Sequence, residues 1–561
     1  MTDILITADI KQHHRARTIA TAYIKPQTRE YWLDPRADLH ETRKALALFP
    51  AIREQIPEDV MRDLNSIFHL KLPNITPEWA GDRTAQELLP NVPAELRGLL
   101  YPYQLVDSAF AAARLAMDGG CYLGWDRGLG KTLAAITVAK QLQADRIIIV
   151  TPNSSKDAVW RPEIEKWDVD HQWSGRVFNL QGGKVARERV MKTWLDFGGI
   201  LLVHYEGLRL INAQGDKIVN GFGEVDLIVC DEAHRLSNGH SGHGKSKAPL
   251  FYRCLKKIPA TARLAMSGSI IVNSPEDIFG SAHWILPTRY RSKWSDWNDR
   301  FLEYTDAFGQ PKTLIGVRLD AIDELRDELS TWMLVRSKED ELPGLPDKVE
   351  QTVFVELTKA QRKVYDELAE WFVAELPDGE VITTPNVLSQ LTKLRQVATG
   401  LDLLGESFTD SSKIDLCLEM IEATPGKTVV FAWHRATVAA ISDRLTKAKI
   451  QHVTIDGDVN NTKRGDRVAA FQTDPNVKVI VATIKTLSES VTLHAAADLI
   501  FVESSWTPAD MEQAADRIYR IGQKEHVTIT HILAKDTVDE HRVLPRLKTK
   551  EDLRRAVLGG S

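Results

Sequence analysis

Cysteine is scarce in this 561-residue sequence: Cys121, Cys230, Cys254 and Cys417 stand far apart, and no two form a CxxC pair. That scatter argues against a disulfide framework or a zinc ribbon and leaves four reduced thiols. No apolar run approaches the ~20 residues that cross a bilayer, so a membrane-embedded chain is excluded. The opening MTDILITADIKQHH carries acidic and polar residues where a secretory leader needs a basic start and an apolar stretch, and a cytoplasmic location is expected. Positive charge is not in excess either, since 71 Lys and Arg against 77 Asp and Glu give a net charge of −6. The balance argues against a protein that coats nucleic acid over its whole surface and confines any polyanion site to a local groove. Short repeats and low-complexity tracts are missing as well.

What is present fits a large soluble enzyme. The hydrophobic share of 43% and charged share of 26% are those of globular chains, and 561 residues are too many for one hydrophobic core. Residues 1–95 read as a small accessory domain, with strand-like ILITADI and TIATAYI followed by helical ETRKALALFPAIREQI. From 96 to 287, apolar strands (DRIIIVTP, GILLVHY, DLIVCDEAH, ARLAMSGS) alternate with amphipathic helical stretches, the pattern of a parallel sheet covered on both faces. Residues 288–408 turn to tryptophans and long charged helical stretches, and read as a helical insertion. Alternation returns over 409–561 with KTVVFAWH, HVTIDG, VKVIVAT, DLIFVE and VTITHIL. The expected fold class is α/β, two RecA-like parallel-sheet lobes with a helical inter-lobe insertion and a small N-terminal accessory domain.

Three clusters carry chemistry. GWDRGLGKT, residues 124–132, lies between an apolar start and a helical continuation. In such a loop Gly128, Leu129 and Gly130 bring backbone N–H groups to phosphate, Lys131 reaches the β and γ phosphates, and Thr132 offers a hydroxyl to Mg²⁺. Trp125 stands where the strict phosphate-loop pattern has its first glycine. DLIVCDEAH, residues 226–234, is an apolar strand ending in acids: Asp231 suits Mg²⁺, and Glu232 suits the water that attacks the γ phosphate. QAADRIYRIGQ, residues 513–523, sets Arg517 and Arg520 three apart on an expected helix, one face of which could stabilise transition-state charge. ATP and Mg²⁺ are the expected cofactors.

In order, these motifs resemble the Swi/Snf-type ATPases, double-stranded DNA translocases of helicase superfamily two, and the resemblance runs from about Leu100 to about residue 558. LYPYQ is similar to the family's glutamine motif, which implies an adenine contact for Gln104. WDRGLGKT stands for DEMGLGKT, CDEAHRLSN for DEAHRIKN, and MLVRSKEDELPGLPDK for the RRTKxDV…LPxK segment. SSWTPADMEQAADRIYRIGQ is similar to DPSWNPxxxxQAxxRxxRIGQ. The resemblance implies backbone contacts to DNA from Thr151, Asn153 and Thr483, which position a duplex without reading its sequence. It departs in the fifth motif, where Leu487, Ser488 and Ser490 replace glycines, and at Ser269 of the third. LIFVESSWTPADMEQAADR is closest in flavour to the annealing-helicase branch, and a compact bacterial or bacteriophage member fits the lack of chromatin-reading modules. The implied function is an ATP-dependent translocase on double-stranded or branched DNA that remodels or anneals DNA structures, with replication or recombination proteins as partners. The alternatives are a DEAH-type RNA or single-strand helicase, and an ATP-gated DNA clamp with little turnover.

Overall fold

In the computed structural model, residues 80–543 are described nearly throughout, apart from 215–216, 219–220, 240–247, 269–276, 291–293, 305–313, 343, 372, 376–380, 384–386, 405–410, 460, 488–490, 506–507 and 521. Before residue 80 the description covers 4–7, 22–25, 30–35 and scattered positions. Strands β1 (Ile4–Thr7), β2 (Tyr23–Lys25) and β3 (Glu30–Leu33) form an antiparallel sheet in the order β1-β3-β2. Ile6, Tyr31 and Leu33 join Phe49, Ile52 and Val60 in a small core of their own. Most of the expected helix ETRKALALFPAIREQI lies outside the described residues.

The first large sheet has seven strands, all parallel: β4 (Gly120–Trp125), β5 (Arg146–Thr151), β6 (Val177–Asn179), β7 (Gly199–His204), β8 (Val225–Asp231), β9 (Ala260–Met266) and β10 (Met333–Arg336). Their order across the sheet is β10-β4-β9-β8-β5-β7-β6. The continuous apolar runs follow from burial on both faces. Leu227 and Val229 of β8 enter one core with Ile147, Ile149 and Leu202. Ile228 and Cys230 enter the other with Ile148, Val150 and Leu201. All four cysteines are buried free thiols.

The second sheet has six parallel strands, β11 (Lys348–Val355), β12 (Lys427–Ala432), β13 (His452–Ile455), β14 (Val479–Thr483), β15 (Ala496–Phe501) and β16 (Val527–Ala534), in the order β11-β16-β15-β12-β14-β13. Val429 and Phe431 of β12 face one core, Val430 and Ala432 the other. Two doubly covered parallel sheets are the α/β architecture expected from the sequence.

Residues 288–408, expected as a helical insertion, also supply one edge strand to each sheet, β10 beside β4 and β11 beside β16. MLVR is too short an apolar run to stand out among charged helices, yet Trp332, Met333 and Leu334 are buried. The stretch also holds helices Lys359–Trp371 and Val387–Thr399, whose Leu368, Leu394 and Val397 pack with Ala534 and Val538 of the second lobe. Buried Glu503, two residues past β15, fixes that attachment. It accepts the backbone N–H groups of Trp433 (2.8 Å) and His434 (2.9 Å) and the hydroxyl of Thr399 (3.1 Å). At the other end of the first lobe, residues 80–97 lie against helix α1 (Pro102–Asp118), with Leu88, Leu89, Val92 and Leu96 packed around Ala109.

Arg336 closes β10 on the first lobe. Its Nε and Nη2 donate to the two oxygens of Asp107 on α1 at 2.9 and 2.6 Å, and Nη1 donates to Glu341 Oε1 at 2.8 Å. Asp107 is fully buried, and burial pushes its pKa up while the guanidinium opposes the shift. Arg336→Ala leaves that carboxylate buried without its guanidinium, which typically costs about 3–5 kcal/mol. A loss of this size is expected in urea melts of the full chain. An unchanged midpoint would mean that Asp107 does not depend on Arg336.

Candidate active site

The phosphate-loop candidate runs from the end of β4 into helix α2 (Lys131–Gln141). Trp125 at the first-glycine position is still strand, and its fully buried ring packs edge-on against Tyr103, with centroids 5.4 Å apart. The loop therefore turns without a glycine there. It needs glycine further on: Gly128 and Gly130 have φ of +89° and +81°, a left-handed backbone that side chains disfavour. Buried Leu129 anchors the loop in the core, and its carbonyl accepts Tyr103 Oη and Gln104 Nε2, both at 2.9 Å. Gln104 Oε1 in turn accepts the Tyr101 N–H at 3.0 Å. A Cβ on Gly130 would run into the Gln104 amide. Gln104 thus pins the loop from beneath.

Lys131 Nζ donates to the carbonyls of Trp125 (2.7 Å) and Asp126 (3.0 Å). Burial pushes its pKa down to about 8, opposed by the charge of Glu232. Thr132 follows it in the first turn of α2, partly exposed.

Asp231 ends β8 and is held on every side. Its Oδ2 accepts Thr151 Oγ1 and Trp160 Nε1, each at 3.0 Å, its Oδ1 accepts the Glu232 N–H at 3.0 Å, and its carbonyl accepts Tyr205 Oη at 2.6 Å. Burial and the neighbouring Glu232 raise its pKa. Oδ1 keeps lone-pair capacity, and a fixed carboxylate near a hydroxyl is the hard-oxygen donor set that suits Mg²⁺. Glu232 sits at φ +52°, unusual for a residue with a side chain. Its Oε2 lies 3.2 Å from His234 Nδ1 and accepts Ser267 Oγ at 3.5 Å. Burial favours the neutral acid, but His234, Arg127 and Lys131 outweigh it and hold the carboxyl well below the usual range. A carboxylate kept charged and fixed by His234 and Ser267 is suited to orienting a water.

The arginine pair comes from the second lobe. The helix expected to carry it, Pro508–Ala515, ends before both residues, and Arg517 and Arg520 stand in the turn that follows. Successive bonds from Arg517 N–H to Ala514 O (3.1 Å) and from Ile518 N–H to Ala515 O (3.1 Å) wind that turn tightly enough to keep them together. Both guanidiniums donate to Val491 O, at 3.3 and 3.4 Å, and Arg520 also donates to Thr492 Oγ1 at 2.7 Å. A Cβ on Gly128 would lie 3.3 Å from Arg520 Cβ, so Arg520 abuts the tip of the phosphate loop. Burial pushes Arg517 down to about 10, helped by the charges of Arg520 and Arg127, and it stays cationic at neutral pH. Four cations, Arg127, Lys131, Arg517 and Arg520, and the acids Asp231 and Glu232 thus converge between the lobes.

The expected DNA contacts are not brought together. Thr151 and Thr483 each end a strand and are buried, with Thr151 donating to Asp231 and Thr483 Oγ1 donating to Thr486 Oγ1 at 2.6 Å. The Thr151 hydroxyl thus braces Asp231, and that of Thr483 bonds within its own turn. Only Asn153 presents an exposed side chain. Ser269, Ser488, Ser490 and the Leu487 side chain lie outside the described residues. Trp160, Tyr205, Ser267 and Arg127 were not anticipated from sequence. The Glu-x-His spacing of DEAH could have flagged His234, and Arg127 lies within the phosphate-loop motif itself, whereas Trp160, Tyr205 and Ser267 come from separate segments.

The family model described as "SNF2-related domain" matches residues 103–403, and that described as "Helicase conserved C-terminal domain" matches residues 412–522. The chain is 25% identical over 457 residues to the human "DNA annealing helicase and endonuclease ZRANB3", covering 81% of this chain and 40% of that protein. It is 24% identical over 461 residues to the Xenopus laevis "SWI/SNF-related matrix-associated actin-dependent regulator of chromatin subfamily A-like protein 1", covering 81% of this chain and 43% of the relative. With the "Uncharacterized ATP-dependent helicase MG018" of Mycoplasma genitalium, identity is 27% over 444 residues, 77% of this chain and 40% of that one. The chain thus spans about two fifths of the length of these curated relatives.

Proposed function

Because the chain belongs to the SNF2-related family, we propose that it is a DNA-dependent ATPase that moves along double-stranded or branched DNA and remodels or anneals it. The observation that carries this reading is the seat of Arg520 against Gly128, which completes a phosphate site from two lobes. In it, Gly128, Leu129 and Gly130 cradle the phosphates, Lys131 binds the β and γ groups, and Gln104 holds the loop beside the adenine end. Thr132 and Asp231 would hold Mg²⁺, which when bound neutralises phosphate charge. Glu232 orients the attacking water. Arg517 and Arg520 offset the charge that develops on the transferred phosphoryl group. Since these groups come from both lobes, a duplex that favours the closed arrangement stimulates hydrolysis.

The proposed units are an N-terminal accessory domain over 1–95, a first lobe over 96–287, an inter-lobe segment over 288–408 and a second lobe over 409–561. Two relatives are named for annealing and for chromatin regulation, which supports DNA as the polymer. The described residues include no helix long and apolar enough to cross a membrane. A cytoplasmic setting alongside replication or recombination proteins completes the proposal. The deciding experiment measures phosphate release with blunt duplex DNA, single-stranded DNA and RNA. Blunt duplex is expected to stimulate most. Stimulation by RNA or single strands alone would favour the helicase reading, and no turnover with any polymer would favour the clamp.

A further inference from the structure

We propose that Asp516 is a positioning residue of this site: gripped by Arg127 of the first lobe and by Lys338, which follows that lobe's edge strand β10, it sets Arg517 and Arg520 of the second lobe against the phosphate loop. The inference rests on the ATPase reading above and extends it to residues that join the lobes.

Lys338 is the centre of the grip. Its Nζ donates to Asp516 Oδ1 and, at 2.8 Å, to Tyr519 O, and it lies 5.3 Å from the centroid of the Tyr519 ring. One ammonium therefore holds both ends of the turn that carries Arg517 and leads into Arg520. The lysine is itself fixed to the phosphate loop, because its backbone N–H donates to Asp126 Oδ2 at 3.1 Å. A Cβ on Gly128 would meet Lys338 Cε at 3.5 Å, beside the Arg520 contact. The path from loop to arginines is thus continuous: Asp126, Lys338, Asp516 and Tyr519, then the pair.

Arg127 is the second arm. Its Nη1 lies 3.9 Å from Asp516 Oδ2, and its side chain is 10% exposed. Gly268 makes room for it, since a Cβ there would come within 2.9 Å of Arg127 Cγ. Burial works against the charged form of Asp516, but Lys338 and Arg127 outweigh it and keep the carboxyl below its ordinary range. The sign of that charge matters as much as its bonds. Arg127, Arg517 and Arg520 crowd one region, and each guanidinium disfavours the next. Asp516 is the anion next to the pair in the chain, and its charge acts on both Arg517 and Arg520. Without it, repulsion from Arg127 and Lys338 pushes the pair off the loop.

The test uses the full chain with saturating duplex DNA. Asp516→Asn keeps the shape and removes the charge. Its kcat for ATP is expected to fall about 100-fold, the scale of a small misplacement of a catalytic group, with KM for ATP little changed because Lys131 and the loop are intact. Asp516→Glu, which keeps the charge, should retain more of the rate. Lys338→Met should resemble Asp516→Asn, and the double variant should fall no lower than the worse single, the signature of two residues acting through one contact. Thermal melts run in parallel. Unchanged kcat in Asp516→Asn, fully multiplicative losses in the double variant, or a rate loss matched by lost stability and not eased in Asp516→Glu would each overturn the proposal. A wild-type chain with no ATP turnover would instead overturn the ATPase reading itself.

Discussion

Lys131→Ala is expected to abolish ATP turnover and leave the protein folded. Among the described residues the ammonium bonds the carbonyls of Trp125 and Asp126, and burial works against its charge, pushing the pKa down to about 8. Removing it therefore takes a poorly solvated cation out of the first turn of α2, where alanine is the best helix former. The functional loss has the opposite scale. A preorganised donor to transition-state charge is typically worth about 100- to 1000-fold in rate, and in the proposed site the same group would also bind the phosphates. Phosphate release measured with duplex DNA should drop to background, while circular dichroism and melting stay near those of the parent. A folded Lys131→Ala protein that turns over ATP at the parental rate would remove residues 124–132 from the nucleotide site.

What the sequence makes legible follows from locality. IIIVT and LIVCD read as strands because a parallel strand buried on both faces must be apolar throughout, and β5 and β8 lie where those runs stand. The left-handed turns at Gly128 and Gly130 are legible because glycine is the residue that takes such a backbone. Strand β10 is not, since its four residues gain meaning only from pairing with β4, more than two hundred positions upstream. Thr151 shows the same limit. The sequence alone does not show that its hydroxyl donates to Asp231 on the adjacent strand. The grip on Asp516 is least legible of all, because Arg127, Lys338 and Asp516 come from three distant segments and meet only when the lobes do. Even the arginine pair, conspicuous in RIYRIGQ, lies past the end of its expected helix, which stops at Ala515. The tight turn after it preserves the juxtaposition by different backbone bonds.

Arg520→Ala should still bind ATP yet lose DNA-stimulated turnover. The phosphate loop, Lys131 and Asp231 all belong to the first lobe and are untouched, so nucleotide affinity, read by fluorescence of a labelled ATP analogue, should change little. Arg520 contributes where the lobes meet: its Cβ side abuts Gly128, and its Nη1 is aimed by Thr492 Oγ1 at 2.7 Å. A guanidinium supplied in this way is worth about 10³- to 10⁵-fold in rate, or roughly 4–7 kcal/mol of barrier. Arg517 does not replace it, being buried against Gln513 O and Val491 O. Arg520→Lys should recover little, because a point charge lacks the planar fork that binds two phosphate oxygens. Duplex stimulation is the sharper readout than basal rate. On the proposed reading DNA favours the arrangement in which Arg520 reaches the phosphates, so without the guanidinium closure would bring no added stabilisation and the stimulated and basal rates should converge. Retained stimulation in Arg520→Ala, at an ATP affinity equal to the parent's, would show that closure acts through another residue, and Arg517 would be the next to replace.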